Sequence, residues 1–249
     1  MSVFLTLWRR ELAAYFLSPI AYAFMIFFLL IMGLNFYGVV QALADGGGNI
    51  QVMQAFFTWI FFWIPMLVVG PLMTMRLFAE EKRSGTIEML MTAPVSDTAV
   101  VLAKYFGALA FFIITWLPTL AYVAILKLCG AGSAAIDYGS ILSGYLCTVL
   151  VGAFYLAIGL FCSATTKNQI IALMMGFVLV CGVFFSGIIF AFITRDASVR
   201  EVALLFCSVQ HMMEFARGAV DSRPVVFYVS GAALMLFATV KLVEARKWK

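Results

Sequence analysis

Apolar runs and short polar stretches alternate along this chain. Six runs reach the roughly 20 residues that a helix needs to cross a hydrocarbon core: 19–40, 52–77, 98–126, 139–162, 169–193 and 225–242. An even number of crossings puts both termini on one side. Ahead of the first run, 2–17 has a different pattern. At 100° per residue, Ser2, Thr6, Arg9, Arg10 and Ala13 share a narrow sector, while Phe4, Leu5, Trp8, Leu12, Tyr15 and Phe16 fill the rest. This describes a helix lying in the interface before Ser18-Pro19 turns the chain into the membrane. The first span is too long, and too far behind that helix, to read as a cleaved signal peptide.

The expected fold is an all-α integral membrane protein, one transmembrane domain over 1–249. It has six transmembrane helices preceded by the amphipathic helix, with a re-entrant or interfacial helical segment between spans five and six. Composition agrees: 65% of residues are hydrophobic and 11% charged, with a mean hydropathy of +1.07, too little polar surface to cover a soluble globule. That segment belongs to 194–223, a connection longer than the usual roughly 2 to 8 residues. It carries the run Val202 to Cys207, too short to span, then Met212, Met213, Phe215 and Ala216. Such content fits a segment packed on protein in the outer leaflet better than a disordered external loop.

Basic residues set the orientation, since Lys and Arg accumulate in short cytoplasmic loops. With the N-terminus inside, that side holds Arg9, Arg10, Arg76, Lys82, Arg83, Lys104, Lys167, Lys241, Arg246, Lys247 and Lys249. The other side holds Lys127, Arg195, Arg200, Arg217 and Arg223, mostly balanced by nearby acids. Both termini are expected in the cytoplasm, and Asp45 and Asp137 outside. The net charge of +4 follows from this asymmetry and argues for no nucleic-acid partner.

The densest charge lies in 80–95. Glu80, Glu81, Lys82 and Arg83 precede Gly85; Thr86 can cap a short helix that Glu88 favours through the helix dipole and Pro94 stops. Ile87, Leu90 and Met91 fall on one stripe, a shape that can plug into a soluble partner. From spacing alone, an ordinary charged loop reads equally well. Glu11 stands on the apolar side of its own helix near Phe4, Trp8 and Tyr15, so it either snorkels or meets a cation from the bundle. The available bases are Arg76 and Lys104, and Arg76 is favoured because a guanidinium grips a carboxylate with two hydrogen bonds.

Catalytic chemistry is scarce. Five cysteines without a C-x-x-C spacing read as apolar packing residues, and a lone His211 with no H-E-x-x-H makes a metal centre improbable. No P-loop is present. No span carries a mid-membrane charge, and none offers the carboxylate, histidine or broken helix that binds a coupling ion in secondary carriers. The aromatics of the second span suit a lipid-like or amphipathic cargo, or simply lipid contact.

The order of Arg10-Glu11-Leu12, Tyr15-Phe16, Ser18-Pro19, two spans, Glu80-Glu81-Lys82-x-x-Gly85-Thr86-x-Glu88-x-Leu90-x-x-x-Pro94-Val95 and four more spans resembles the permease subunit of ABC-2 type exporters. The text His211-x-x-Glu214-Phe215-Ala216-Arg217-Gly218-x-x-Asp221-x-Arg223 is similar to the gliding-motility-type and nitrous-oxide-locus-type branch. Pro224 departs from it, where that branch often has an acid. The resemblance implies that 2–17 is an elbow helix and that 86–92 is a coupling helix docking on a separate ATPase. Thr86, Ile87, Glu88, Leu90 and Met91 would carry force there, with Glu80, Glu81, Lys82 and Arg83 setting the electrostatics. It further implies a cytoplasmic ATPase dimer that binds ATP and magnesium, a second permease, membrane lipids around the bundle, a possible external accessory subunit and a bacterial inner membrane. No cofactor is expected in this chain. The alternative reading is a non-transporting scaffold that recruits a cytoplasmic ATPase or another enzyme.

Overall fold

The computed structural model describes residues 3–44, 52–86, 96–128, 137–193 and 204–245. The N-terminal helix α1 (Val3–Leu17) ends at Ser18, and Pro19 opens α2 (Pro19–Ala44), where its missing N–H and preset φ suit a first turn. A short α3 (Val52–Thr58) and α4 (Ile60–Thr74) follow, then α5 (Ala79–Ser84), closed by Gly85 in the left-handed conformation at φ 74°. Further along the chain, α6 (Asp97–Trp116) runs through a 3₁₀ turn (Leu117–Leu120) into α7 (Ala121–Leu128). The chain finishes with α8 (Tyr138–Thr165), α9 (Gln169–Ile193), the short α10 (Ser208–Ala216) and α11 (Ser222–Glu244). Ser96, Asp137 and Asp221 cap α6, α8 and α11 by accepting from backbone N–H groups.

Six helical runs are long and apolar enough to cross a membrane, so the all-α integral membrane fold stands. Helix α8 is the axis of the bundle, packed against α4, α9, α10 and α11 and touching α6, α3 and α5. Its central stretch is 72% buried, against 22% for α9 and for α11, whose outer faces are left for lipid or another chain. Small residues allow this closeness, as expected where lipid supplies no hydrophobic drive between helices. A Cβ on Gly159 of α8 would overlap the Thr74 hydroxyl and sit 3.0 Å from the Gly70 carbonyl, while one on Gly70 would lie 2.9 Å from the Tyr155 carbonyl.

Two spans are broken, which corrects the expectation of unbroken ones. The second does not run through 52–77: Trp59 is extended (φ −72°, ψ 153°), and the crossing helix begins at Ile60. The break is tolerated because carbonyls freed at the end of α3, those of Ala55 and Phe56, find donors. Thr58 Oγ1 reaches Gln54 and Ala55, the Trp59 N–H also reaches Ala55, and the fully buried Asn35 of α2 gives its amide to Phe56 at 3.0 Å. Phe56, Phe57, Phe62, Trp116, Tyr122 and Tyr145 then pack edge to face or tilted around the gap. The third span yields at Pro118, and Thr119 bonds the Trp116 carbonyl and the Tyr145 hydroxyl.

The close passage at Gly159 predicts that Gly159→Ala destabilises by about 1–3 kcal/mol through overpacking. A Cβ on Gly182 of α9 meets nothing within 4 Å. Gly182→Ala therefore leaves stability unchanged or slightly raised. Thermal unfolding of both variants in detergent compares them directly.

Candidate functional site

Helix α5 has no cap of its own, and the end of α8 supplies one. The N–H groups of Phe78 and Ala79 both donate to Ser163 Oγ, at 3.1 and 3.2 Å, and Ser163 donates in turn to the Met75 carbonyl at 3.0 Å. Lys82 reaches in the opposite direction and donates to the Ala164 carbonyl, placing its charge at the C-terminal end of α8 where the helix dipole favours a cation. These bonds cross more than eighty residues of sequence. The segment that leads into 86–95 is thus bolted to the central helix.

A second attachment runs through Lys104. Its side chain is 2% exposed, yet its ammonium meets the Glu81 carboxylate of α5 at 2.6 Å and the Glu11 carboxylate of α1 at 3.3 Å, and lies over the Phe78 ring at 5.4 Å. Arg10 grips Glu11 from the outer side at 2.9 Å. Two carboxylates and two cations balance, so the cluster as a whole carries no net charge. Gly107, three residues beyond Lys104 in α6, makes room: the Glu11 Cβ would stand 3.1 Å from any Cβ placed there. One turn after Glu11, the Tyr15 hydroxyl donates to the Met73 carbonyl at 2.8 Å, and its ring stacks on Phe111 at 4.9 Å. Burial and the nearby Glu11 raise the Tyr15 hydroxyl far above its ordinary range, so it stays a neutral donor. Helix α1 is pinned to α6 and α4 by side chains one turn apart.

This geometry corrects the favoured partner of Glu11. The carboxylate pairs with Lys104 and Arg10, while Arg76 makes no ion pair among the described residues and its Nε is buried without an acceptor. Lys104 wins by position: α1 lies along α6, and Arg76 sits in the turn that leads to α5, across a cleft. The four charges of 80–83 divide as well. Glu80 and Arg83 are exposed, whereas Lys82 is buried against α8 and Glu81 turns inward to Lys104. Thr86 is exposed at the end of the described stretch. Ile87, Glu88, Leu90 and Met91 lie outside the described residues. Ser163 and Ala164 carry no sequence signal, since a small polar residue near a span end is commonplace.

At the far end of the bundle α10 packs on α8 and α3, with Met212 and Phe215 buried. Ser143 bonds the Phe215 carbonyl, and His211, 3% exposed, lies 3.0 Å from the Tyr228 hydroxyl through Nδ1. Burial lowers the His211 pKa below 6.5, partly offset by Glu214 and Asp221. No group of three metal-ligating side chains occurs among the described residues.

A family model described as ABC-2 family transporter protein matches residues 39–240. The chain belongs to the ABC-2 transporter family. Comparison with curated proteins finds no match. As an ABC-2 permease, the chain is the multi-pass membrane subunit of an ABC transporter, a family whose permeases work with an ABC ATPase. The Ser163 and Lys104 attachments thus belong to the permease's own connection between its elbow helix, its central span and the loop after α5.

Replacing only Lys104 leaves the buried Glu11 and the half-buried Glu81 without their shared cation. Lys104→Met is expected to destabilise by about 3–5 kcal/mol, while the matched Glu11→Gln, Lys104→Met, Glu81→Gln variant regains most of it. Thermal unfolding in one detergent distinguishes the two. A second expectation follows from His211. Its folded pKa is lowered, so below 6.5 the unfolded chain binds a proton that the folded chain refuses. That contribution is complete above pH 6.5 and is lost as the pH falls toward the folded value; unfolding midpoints between pH 8 and 5 should fall less steeply in His211→Gln.

Proposed function

We propose that this permease exports a lipid-like or amphipathic cargo across a bacterial inner membrane, with both termini in the cytoplasm. A separate cytoplasmic ATPase dimer, which holds the ATP and magnesium, docks on residues 86–92, and two permeases work as a pair. A cofactor in this chain has no part in the scheme. The resemblance of 211–223 to the gliding-motility-type and nitrous-oxide-locus-type branch supports assigning the chain there, and leaves room for an external accessory subunit.

The observation that carries this reading is the double anchoring of α5. A push on the loop after Gly85 is delivered to α8 through Ser163 and Lys82 and to α1 and α6 through Lys104, so it moves the bundle instead of bending a flexible tether. Closure of the ATPase dimer would then tilt the two bundles and exchange inward for outward access. The breaks at Trp59 and Pro118 put joints in two spans toward the far end, where such a tilt can be absorbed.

Leu90→Asp or Met91→Asp would place a charge in the apolar dock at a cost of several kcal/mol. Each variant is expected to insert normally, to lose co-purification of the ATPase and to lose ATPase stimulation. Full co-purification with both variants would overturn the docking assignment. A permease that retains its ATPase yet shows no nucleotide-dependent change of conformation would favour the scaffold reading.

A further inference from the structure

Between α1, the start of α2, and the α4–α5 turn lies a cleft of about 300 Å³ that the anchoring bonds do not use up. Its two ends differ in chemistry. Toward the membrane it is walled by Ile20, Ala21, Phe24 and Leu72; toward the elbow end it is lined by Arg76, Glu80, Glu81 and Lys104. Two polar atoms at that end are buried and lack a partner among the described residues: Arg76 Nε, a donor, and Glu81 Oε2, an acceptor. Buried donors and acceptors are nearly always satisfied, so an opposed pair left open in one cleft asks for a ligand offering both an acceptor and a donor.

The charges narrow the class. Lys104 is committed to Glu11 and Glu81, and Arg10 covers Glu11 from outside. What remains uncommitted is one guanidinium, Arg76, beside the free oxygen of Glu81 and the exposed Glu80 carboxylate. A phosphate fits the first and a primary ammonium the second. An anion alone would leave the Glu81 oxygen without a donor and would face the exposed Glu80 carboxylate. A quaternary ammonium has no N–H to give. The apolar wall below then receives hydrocarbon. We propose that this cleft is a binding site for an aminophospholipid of the phosphatidylethanolamine kind, its phosphate on Arg76, its ammonium on Glu81 and Glu80, and its chains against Ile20, Ala21, Phe24 and Leu72. The inference rests on the cleft alone and is read without any ATPase, so it can fail while the transport reading stands, and the reverse.

The test is retention of lipid by the purified full-length permease. The protein is delipidated, offered equal amounts of phosphatidylethanolamine, phosphatidylcholine and phosphatidylglycerol, and examined by native mass spectrometry. Phosphatidylethanolamine should be retained about tenfold over the other two, the worth of one hydrogen bond to a charged group. Arg76→Gln, which removes the phosphate contact that all three lipids share, should weaken retention of each, and Glu80→Gln, which removes an ammonium contact, should reduce the preference. Ala14→Trp, at an exposed position on the cleft wall, should empty the site without unfolding the chain. Equal retention of the three lipids, unchanged retention in both Arg76→Gln and Ala14→Trp, or an unchanged preference in Glu80→Gln would overturn the proposal. Free phosphoethanolamine displacing the lipid completely would assign the site to a soluble phosphoamine instead, and also overturn it. So would a disulfide between Ala21→Cys and Leu90→Cys in a cysteine-free background, which would show that the coupling segment itself fills the cleft.

Discussion

A lysine buried at the start of the third span holds this architecture together at the end that carries α5. An ammonium with 2% exposure is tolerated only where its charge is met, and the structure meets it twice, from α1 and from α5. Elements 93 and 23 residues away from it in sequence are therefore compelled to converge. The interaction is weak evidence for stability, because an apolar substitute for the whole set would do about as well. Its value is placement: removing any one member leaves uncompensated charge, so α1, α5 and α6 move together or not at all.

The rest of the bundle is arranged around α8, and by different forces at its two ends. Near Ser163 the contacts are directional: a hydroxyl capping two amides and an ammonium on a terminal carbonyl. One turn away they are steric, with Gly159, Gly70 and Thr74 bringing backbones nearly into touch. At the far end they are aromatic and neutral, with His211, Tyr228 and Ser143 bonded inside a ring of phenylalanines and tyrosines. Among the described residues, buried charge is thus confined to the α5 end, where Glu11, Lys82 and Lys104 each have a partner, which is what a low-dielectric surround requires.

Much of this was readable from the chain. The six spans and the N-terminal helix follow from hydropathy period, because length and polarity decide membrane insertion directly. Glu11 was conspicuous as a carboxylate on an apolar face, and that face demanded a cation. Which cation was not readable. Arg76 has the better hydrogen-bonding geometry in the abstract, but Lys104 lies on the helix that α1 follows, and helix adjacency is a tertiary fact. Nor did the run 52–77 betray the break at Trp59: an unbroken apolar run looks continuous whether or not an asparagine on another helix stands ready to take a freed carbonyl. Lys82 read as surface charge for the same reason, since its acceptor is the end of a helix more than eighty residues away.

The distribution of joints and bolts bears on how motion can pass through such a fold. Both breaks, at Trp59 and at Pro118, lie in the half of their spans away from the charged cluster, and each is lined by aromatic rings in edge-to-face and tilted contacts, which are less directional than hydrogen bonds. On the other side of those breaks, α4, α5, α6 and α8 are tied by bonds that cannot slide: Lys104 to Glu81, Ser163 to the α5 amides, Tyr15 to Met73. A displacement applied at Gly85 therefore meets a stiff lever first and a compliant region second. Strain concentrates where the structure is compliant, so under the proposed coupling the first parts of the bundle to rearrange are the aromatic surroundings of Asn35, Phe56 and Tyr145, not the dock or the elbow.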